Sequence, residues 1–462
     1  MNWSFMVIAL LPEHMLLAAI VVLISLEIMG LTGRFAAPVA LGFTLMAALF
    51  AVLLVIVQFE GSPFPGHYSV DPPTLTAKAV VLALALPLLQ LSRREFAGDA
   101  RFYILLLSSL YGVLLVTSAD GFLTMFLGLE IMSMPVYVLV LLAYQRPESA
   151  EAALKYLVLG GAATATFLMG ASLLYGATGS LGLSALAAAA QSPSPLATTA
   201  IVLVLIAFFL KAAVVPFHTW APDAYEASSV PVTAYMSILI KAGVMLAVVR
   251  LFGTVAIGGT LVDLLAILPL VSIVWGNLAA MRQPSFRRMI AYSSIAHAGY
   301  MFYALLGAGP TRLQAVTFYL LAYGLMNALA FASLPTGPDD ARRDRIDALK
   351  GLYQRQPYAA VLLGIALLSL AGIPPFPGFV AKFLIFSNVV AAGYTLYAVL
   401  ALIGSYLGIY FYLRVIQMMF MGAEPEGAPS QGPVAVAAGV LCLVPTIALT
   451  LFPGVAITLL GR

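Results

Sequence analysis

The sequence is poor in charged residues, which make up only 9% of its 462 positions, whereas hydrophobic residues make up 62%. Soluble domains carry about 25% charged residues. A soluble fold of this length cannot keep so much apolar surface away from water. A lipid bilayer can, because its interior is itself apolar. The composition therefore predicts an integral membrane protein.

Cysteine and the common cofactor motifs are also scarce. The single cysteine, Cys442, lies in an apolar run, which excludes a disulfide framework or a cysteine-held metal cluster within this chain. There is no Gly-rich dinucleotide fingerprint, P-loop or His-Glu-x-x-His motif. The net charge of +3 is too small to indicate nucleic-acid binding. We therefore expect no cofactor, no metal and no redox centre in this chain.

Fourteen apolar runs approach the roughly 20 residues that a spanning helix needs. They lie at about 15–29, 37–57, 75–91, 103–117, 121–142, 152–176, 196–215, 232–251, 261–281, 290–306, 313–334, 359–390, 396–419 and 434–451. Residues 1–33 contain no Lys or Arg, so we expect no cleaved signal peptide. The predicted fold class is an all-α polytopic membrane protein with about 14 transmembrane helices.

Basic residues distribute unevenly between the two sides of this arrangement. If the N-terminus is outside, 14 of the 22 basic residues fall in inner loops and three, Arg250, Arg312 and Arg462, fall outside. This bias follows the positive-inside rule and places both termini outside. The inner residues are Arg34, Arg93, Arg94, Arg101, Arg146, Arg282, Arg287, Arg288, Arg342, Arg343, Arg345, Lys350, Arg355 and Arg414.

The five remaining basic residues lie inside apolar runs, and all five are lysines: Lys78, Lys155, Lys211, Lys241 and Lys382. A charge in the middle of a bilayer costs about 2.5–3.5 kcal/mol, so each needs a reason. Lysine can release its proton when desolvated, whereas arginine cannot. The deep lysines Lys211, Lys241 and Lys382 are therefore candidates for proton transfer. Lys78 is expected to reach the outer membrane surface, and the role of Lys155, near the inner face, stays open.

Glu130 is the matching acid, because it lies in the middle of an apolar run. A carboxylate in hydrocarbon must protonate or find a partner. We predict that Lys211 is this partner. The alternative is a structural ion pair with no role in transport. Glu27 lies near the inner end of its run and is expected at the interface.

Two predicted helices are interrupted by proline next to a buried lysine. Lys211 is followed by Pro216 and Pro222, and Lys382 is preceded by the cluster 374–377. Proline removes a helix hydrogen bond and leaves a carbonyl free. Such a backbone is tolerated in a membrane only against protein or a water-filled cavity. Discontinuous helices of this kind point to the ion site of a transporter.

The two halves of the chain also resemble each other. Glu130 and Lys211 are 81 positions apart, and His297 and Lys382 are 85 apart. We predict one membrane domain over 1–462, with N-terminal helices in about 1–100 and inverted five-helix repeats at 101–251 and 261–420. A last helix is predicted at 434–455. His297 can donate, accept or carry a proton near neutral pH, or can be a structural histidine.

The run 210–234 resembles the signature of the antiporter-like membrane subunits of bacterial proton-pumping NADH:quinone oxidoreductase, respiratory complex I. Segments 128–130, 291–300 and 372–383 agree with it, and the similarity covers nearly the whole chain. Of the L, M and N types, Leu11-Pro12-Glu13-His14 and the segment around Lys155 are similar to N. Because the chain ends soon after its last span, we do not expect the long lateral helix of type L. One departure is Ala227-Ser228-Ser229-Val230, where the family usually reads close to Gly-Ala-Pro-Thr.

The resemblance implies which residues and partners matter. Proton transfer would fall to Glu130, Lys211, Lys241 and Lys382. Quinone reduction by NADH would occur on other subunits holding FMN and iron–sulfur clusters. The partners would be the M subunit and small K/J/A-type subunits in the bacterial plasma membrane, with both termini periplasmic. Further candidate relay groups are His297, Lys155 and His218.

Other classes of protein remain open. A cation/proton antiporter of the Mrp type uses similar helices and lysines, as does a membrane-bound hydrogenase complex. A purely structural subunit would tolerate methionine at every buried lysine. The sequence leaves open whether the ion is H⁺ or Na⁺ and which quinone is used.

Overall fold

A computed structural model describes residues 3–143, 147–253, 255, 257–307, 309–335, 345–421 and 433–460. Within this part of the chain nearly every residue is helical, as the sequence predicts. Arg146, Arg342, Arg343 and Arg462, which are predicted to lie in loops or at the C-terminus, lie outside the described residues.

Twenty-one α-helices and one β-hairpin form the described part of the chain. They are α1 Trp3–Ala9, α2 Leu11–Ile28, α3 Thr32–Ile56, β1 Gly61–Phe64, β2 Tyr68–Val70, α4 Pro72–Phe96, α5 Ala100–Thr117, α6 Phe122–Leu141, α7 Pro147–Thr178, α8 Ser184–Gln191, α9 Pro195–Ala212, α10 Trp220–Ala227, α11 Val230–Tyr235, α12 Lys241–Phe252, α13 Thr260–Ala280, α14 Phe286–Tyr303, α15 Gly309–Ala332, α16 Leu352–Arg355, α17 Pro357–Ala371, α18 Pro377–Ala391, α19 Thr395–Met421, α20 Pro433–Leu451 and α21 Pro453–Leu460. A π-helical turn, Met236–Ile240, joins α11 to α12.

Each of the fourteen predicted apolar runs coincides with a described helix or helix pair. Eleven spans are long and apolar enough to cross a membrane, or twelve when α20 and α21, bent by 97°, are counted together. The other two predicted spans fail that test for visible reasons. Arg287 and Arg288 lie in the first turn of α14. The helices α17 and α18 are each only 15 residues long and together form the predicted discontinuous helix.

The two helix breaks are built from the predicted prolines. Helix α9 ends at Ala212, and the next residue, Ala213, has a left-handed φ of 60°, so the chain turns before α10 begins. Helix α17 ends at Ala371, and the next residue is Gly372, where a φ of 81° favours glycine. Freed backbone groups find partners nearby: Val215 N donates to Ser272 Oγ at 2.8 Å. The Leu210 carbonyl accepts from Trp220 Nε1 at 3.1 Å.

Small residues allow several helices to approach one another closely. A Cβ on Gly112 of α5 would lie 2.3 Å from the backbone nitrogen of Met132 on α6. A Cβ on Gly276 of α13 would lie 2.7 Å from the carbonyl oxygen of Tyr292 on α14. Because lipid is as apolar as leucine, membrane helices associate through such close packing. The predicted division into two inverted repeats stays a prediction.

The two ends of the helical bundle differ in character. The hairpin of β1 and β2 lies at one end, where Arg250 of α12 donates hydrogen bonds to Ser69 and Thr74. We call this the hairpin end. The opposite end carries Arg101, Arg288 and other arginines, and we call it the arginine end. Glu27 pairs there with the exposed Arg101 at 2.9 Å.

Candidate proton-transfer site

Glu130 and Lys211 form an ion pair inside the bundle. Lys211 Nζ, in the last turn of α9, lies 3.2 Å from Glu130 Oε1 on α6. The side chains are 6% and 15% exposed, respectively. The hydroxyl of Thr164 on α7 donates to the same carboxylate oxygen. Lys211, predicted from sequence as the partner of Glu130, is in contact with it.

A small cavity lies beside this pair. Its volume is about 10 Å³, which is room for about one water molecule. The Tyr137 hydroxyl is buried and makes no hydrogen bond within the described part of the chain. A Cβ on Gly160 would lie 2.0 Å from that hydroxyl oxygen, so glycine at this position makes space for it. The lining residues are Ser133, Tyr137, Tyr156, Gly160, Leu210, Lys211, Trp220, Ile240 and Val244.

Lys241 is the next buried amine and directly follows Ile240, which lines the same cavity. It begins α12 immediately after the π-helical turn, a type of irregularity that is frequent at functional sites. Its Nζ donates to the carbonyl oxygen of Ser294 on α14. No ion pair joins it to a described carboxylate. The amine can therefore lose its proton without leaving an acid unpaired.

Lys382 on α18 is also held by neutral groups. Its Nζ donates to the Ala371 carbonyl, freed at the end of α17, and to Ser405 Oγ on α19, each at 2.9 Å. The ring of Tyr300 lies 5.0 Å from Nζ. The second helix break thus supplies one of the oxygens that bind this amine.

Helix α14 connects the contacts of Lys241 and Lys382. Ser294, His297 and Tyr300 follow one another at intervals of three residues and so lie along one side of the helix. His297 is buried, and its Nδ1 lies 2.7 Å from the Tyr319 hydroxyl. His297 therefore does not bond Lys382 directly. It lies between Ser294, which contacts one lysine, and Tyr300, which contacts the other.

The two other candidate relay groups, Lys155 and His218, lie apart from the series of buried lysines formed by Lys211, Lys241 and Lys382. Lys155 is 44% exposed and pairs with Glu151 and Asp223, each at 2.7 Å. Asp223 also pairs with Arg288 at 2.9 Å. His218, in the first break, accepts a hydrogen bond from Trp275 Nε1 at 3.0 Å. Neither residue bonds the buried lysines through the contacts described.

The expectation for Lys78 is wrong. The sequence predicts that it reaches the membrane surface, but its side chain is 0% exposed and its Nζ lies 2.7 Å from Glu13 Oε1. Glu13, which the sequence does not single out as a buried acid, is only 1% exposed. Glu13 escapes sequence reasoning because it precedes the first apolar run and is covered by Tyr68 of the hairpin. The only signal was its place in the Leu11-Pro12-Glu13-His14 motif.

The remaining polar contacts of the site were also missed from sequence. They come from hydroxyl groups on neighbouring helices: Thr164, Ser405, Tyr319 and Tyr412. Serine, threonine and tyrosine are ordinary in membrane helices, so composition does not single these residues out. Within the described part of the chain, no group of His, Cys, Asp or Glu could hold a metal ion.

A helical bundle with broken helices beside a series of buried lysines defines the class of antiporter-like membrane subunits. Residues 119–408 match the family described as NADH:quinone oxidoreductase/Mrp antiporter, transmembrane. The chain belongs to this family.

Similar proteins support the assignment along most of the sequence. NADH-quinone oxidoreductase subunit N of Pelobacter propionicus is 37% identical over 446 residues, covering 96% of this chain and 95% of the relative. NADH-quinone oxidoreductase subunit 14 of Thermus thermophilus is 39% identical over 425 residues, covering 90% and 93%.

Solved structures agree on the fold. A chain of respiratory complex I from Thermus thermophilus with bound aureothin superimposes with a TM-score of 0.85 and 36% identity, over 97% of this chain and 98% of that one. A chain of the Mrp complex from Dietzia sp. DQ12-45-1b gives a TM-score of 0.87 at 23% identity, over 100% and 97%. The second likeness shows a shared fold only.

Proposed function

We propose that this chain is an N-type, proton-translocating membrane subunit of an NADH:quinone oxidoreductase, and so part of a translocase. The observation that carries the proposal is the series of buried amines that begins at the Glu130–Lys211 pair and ends at Lys382. Neutral polar groups and a water-sized cavity lie between them. The names of the full-length relatives support the assignment to this complex.

These contacts support the following proton path. While the pair is closed, Glu130 favours the charged form of Lys211. When the pair opens, Lys211 can pass a proton through a water in the cavity beside Tyr137 to Lys241. The side of α14 with Ser294, His297 and Tyr300 then leads to Lys382. Moving one charge against about 100 mV costs about 2.3 kcal/mol, which the redox reaction elsewhere in the complex would supply.

The surroundings of the chain form part of the same proposal. NADH, quinone, FMN and iron–sulfur clusters would be bound by other subunits. The neighbours would be the M subunit and small K/J/A-type subunits in a bacterial plasma membrane. The arginine end would face the cytoplasm, following the positive-inside rule, and both termini would be periplasmic.

Purification of the native complex through an affinity tag on this chain tests the assignment. We expect flavin and iron–sulfur subunits to co-purify with NADH:quinone oxidoreductase activity. Recovery of only small antiporter subunits, without NADH oxidation, would indicate an Mrp-type assembly instead. Recovery with a hydrogenase would indicate the third class.

Tyr137→Phe is expected to slow proton transfer while leaving assembly intact. The change removes only the hydroxyl that faces the cavity beside Lys211. In the proposed path this hydroxyl would bind a water between itself and the charged Lys211. A hydrogen bond to a charged group is worth about 1.5–3 kcal/mol, so NADH-driven proton uptake into inverted membrane vesicles should fall roughly tenfold. The exposed Tyr175, replaced by phenylalanine, is the matched control. An unchanged uptake rate in the Tyr137 variant would contradict a role for this hydroxyl.

A further inference from the structure

A second buried acid–lysine cluster lies outside the series described above. Lys78 of α4, Glu13 of α2 and Tyr68 of β2 come from three separate elements. Lys78 Nζ lies 2.7 Å from Glu13 Oε1 and donates to the Tyr68 hydroxyl at 2.6 Å. The Tyr68 hydroxyl in turn donates to Glu13 Oε1 at 2.7 Å. Amine, phenol and carboxylate are thus joined in one hydrogen-bonded group.

This cluster has the same composition as the Glu130–Lys211 site. In each, a lysine and a hydroxyl group contact the same oxygen, Oε1, of a glutamate on another helix. The hydroxyl is that of Thr164 at Glu130 and that of Tyr68 at Glu13. The Glu13–Lys78 pair is the more buried of the two, with both side chains at most 1% exposed.

Stability alone does not account for such a cluster. Burying two charges costs several kcal/mol per ion, and apolar residues of similar volume often serve a fold as well or better. One carboxylate oxygen, Glu13 Oε2, is buried and has no hydrogen-bond partner among the described residues. Most buried polar atoms have a hydrogen-bond partner, so this oxygen is open to a further donor. The free acceptor is a place where a proton can bind.

The cluster lies closer to the hairpin end than Lys241 does. Helices α4 and α12 run in opposite directions: Arg250, late in α12, donates to Thr74, early in α4, whereas Ile238, just before α12, lies level with Leu84 in the middle of α4. Further from that end, a Cβ on Gly324 would lie 2.6 Å from Leu84 and 3.1 Å from Ile238, so these two side chains are at one level. At 1.5 Å rise per residue, Lys78 lies about 9 Å from that level in the direction of the hairpin end, and Lys241 lies about 4.5 Å from it in the same direction.

A larger cavity lies at the hairpin end beside the first turns of α4, one turn from Lys78, and none of the three cluster residues lines it. Its volume is about 290 Å³, enough for several water molecules. Its walls include Ala77, the neighbour of Lys78, and the polar side chains of Thr74, Asp71 and Arg250. Water in this cavity would connect the region of Lys78 with the solution at the hairpin end.

We propose that Glu13, Tyr68 and Lys78 form a second proton-transfer site, which exchanges protons with the solution at the hairpin end. This rests on the proposed function. Glu13 accepts a proton at Oε2 from a hydronium ion, which becomes water, and the neutral acid later loses this proton when its O–H bond breaks and a water molecule takes the proton up. Within the cluster, the Lys78 ammonium can give a proton to the Tyr68 oxygen while the Tyr68 proton passes to Glu13. Both members of the pair are then neutral, and the net charge of the cluster is unchanged.

The test uses two variants of the intact complex in proteoliposomes. Tyr68→Phe keeps the ion pair and the ring but removes the hydroxyl link. The double variant Glu13→Gln/Lys78→Met removes both charges while preserving volume, so neither charge is left buried and unpaired. We expect NADH-driven proton transport to fall at least about tenfold in each, with NADH oxidation retained. Tyr175→Phe is the control for surface effects. If the double variant does not assemble, the transport rate of the Tyr68→Phe variant alone tests whether the cluster transfers protons.

Glu130→Gln, measured in parallel, separates this site from the function as a whole. Wild-type transport in the assembled Tyr68 or double variant, with transport lost in Glu130→Gln, would overturn the second site alone. Wild-type transport in all three variants would overturn the proposed function as well.

Discussion

Replacing Glu130 by glutamine, or Lys211 by methionine, is expected to abolish the proton transport of this chain while the complex still assembles. Both changes remove one member of the ion pair that starts the series of buried amines. A positioned proton donor or acceptor typically contributes about 10²–10⁴-fold to a transfer rate. We therefore expect NADH-driven proton transport to fall at least about 100-fold, measured in proteoliposomes with a pH-sensitive dye.

Assembly must be checked separately for these variants. Removing one partner of a buried pair leaves the other charge uncompensated, at about 3–5 kcal/mol. The double variant Glu130→Gln/Lys211→Met avoids this cost and should assemble as well as the wild type, yet transport no protons. Glu148→Gln, at an exposed position on α7, is the control. Normal transport in the assembled double variant would mean that the pair is only structural.

Replacing Lys382 by methionine should stop transfer at the far end of the series. The change removes the amine that donates to the Ala371 carbonyl and to Ser405 Oγ, and methionine offers no proton to pass on. We expect a loss of proton transport similar to that in Lys211→Met, again at least about 100-fold. The measurement is proton transport per NADH oxidised in the purified complex.

Lys350→Met provides the matched control, because Lys350 is an exposed lysine in a connecting segment. It should transport protons normally. If Lys382→Met also did so, Lys382 would not lie on the path, and the series would have to end at His297 or earlier.

The helices and their breaks were predictable because lipid imposes simple rules. Apolar length fixes the spans, and prolines such as Pro216 interrupt them. A desolvated charge needs a partner, and this rule predicts that the buried Glu130 pairs with the buried Lys211. These inferences depend on local sequence and on the cost of burial, so no knowledge of helix packing is needed.

The errors and omissions concern contacts between distant segments. Lys78 is near the end of its helix in sequence, and only the folded hairpin over Glu13 shows that the amine is buried. In the same way, nothing in the sequence of α18 says that Ser405 of α19 would bind Lys382. Likewise, nothing in the sequence of α14 says that Tyr319 would lie against the imidazole of His297.

The proton-to-electron ratio of a Lys211→Arg complex tests the central claim most directly. Arginine keeps the positive charge and can still pair with Glu130, but it does not release its proton in a protein. If Lys211 carries protons, the complex should assemble and oxidise NADH while its proton-to-electron ratio falls as far as in Lys211→Met. A ratio equal to that of the wild type would show that only the charge matters, and would contradict proton transfer through this amine.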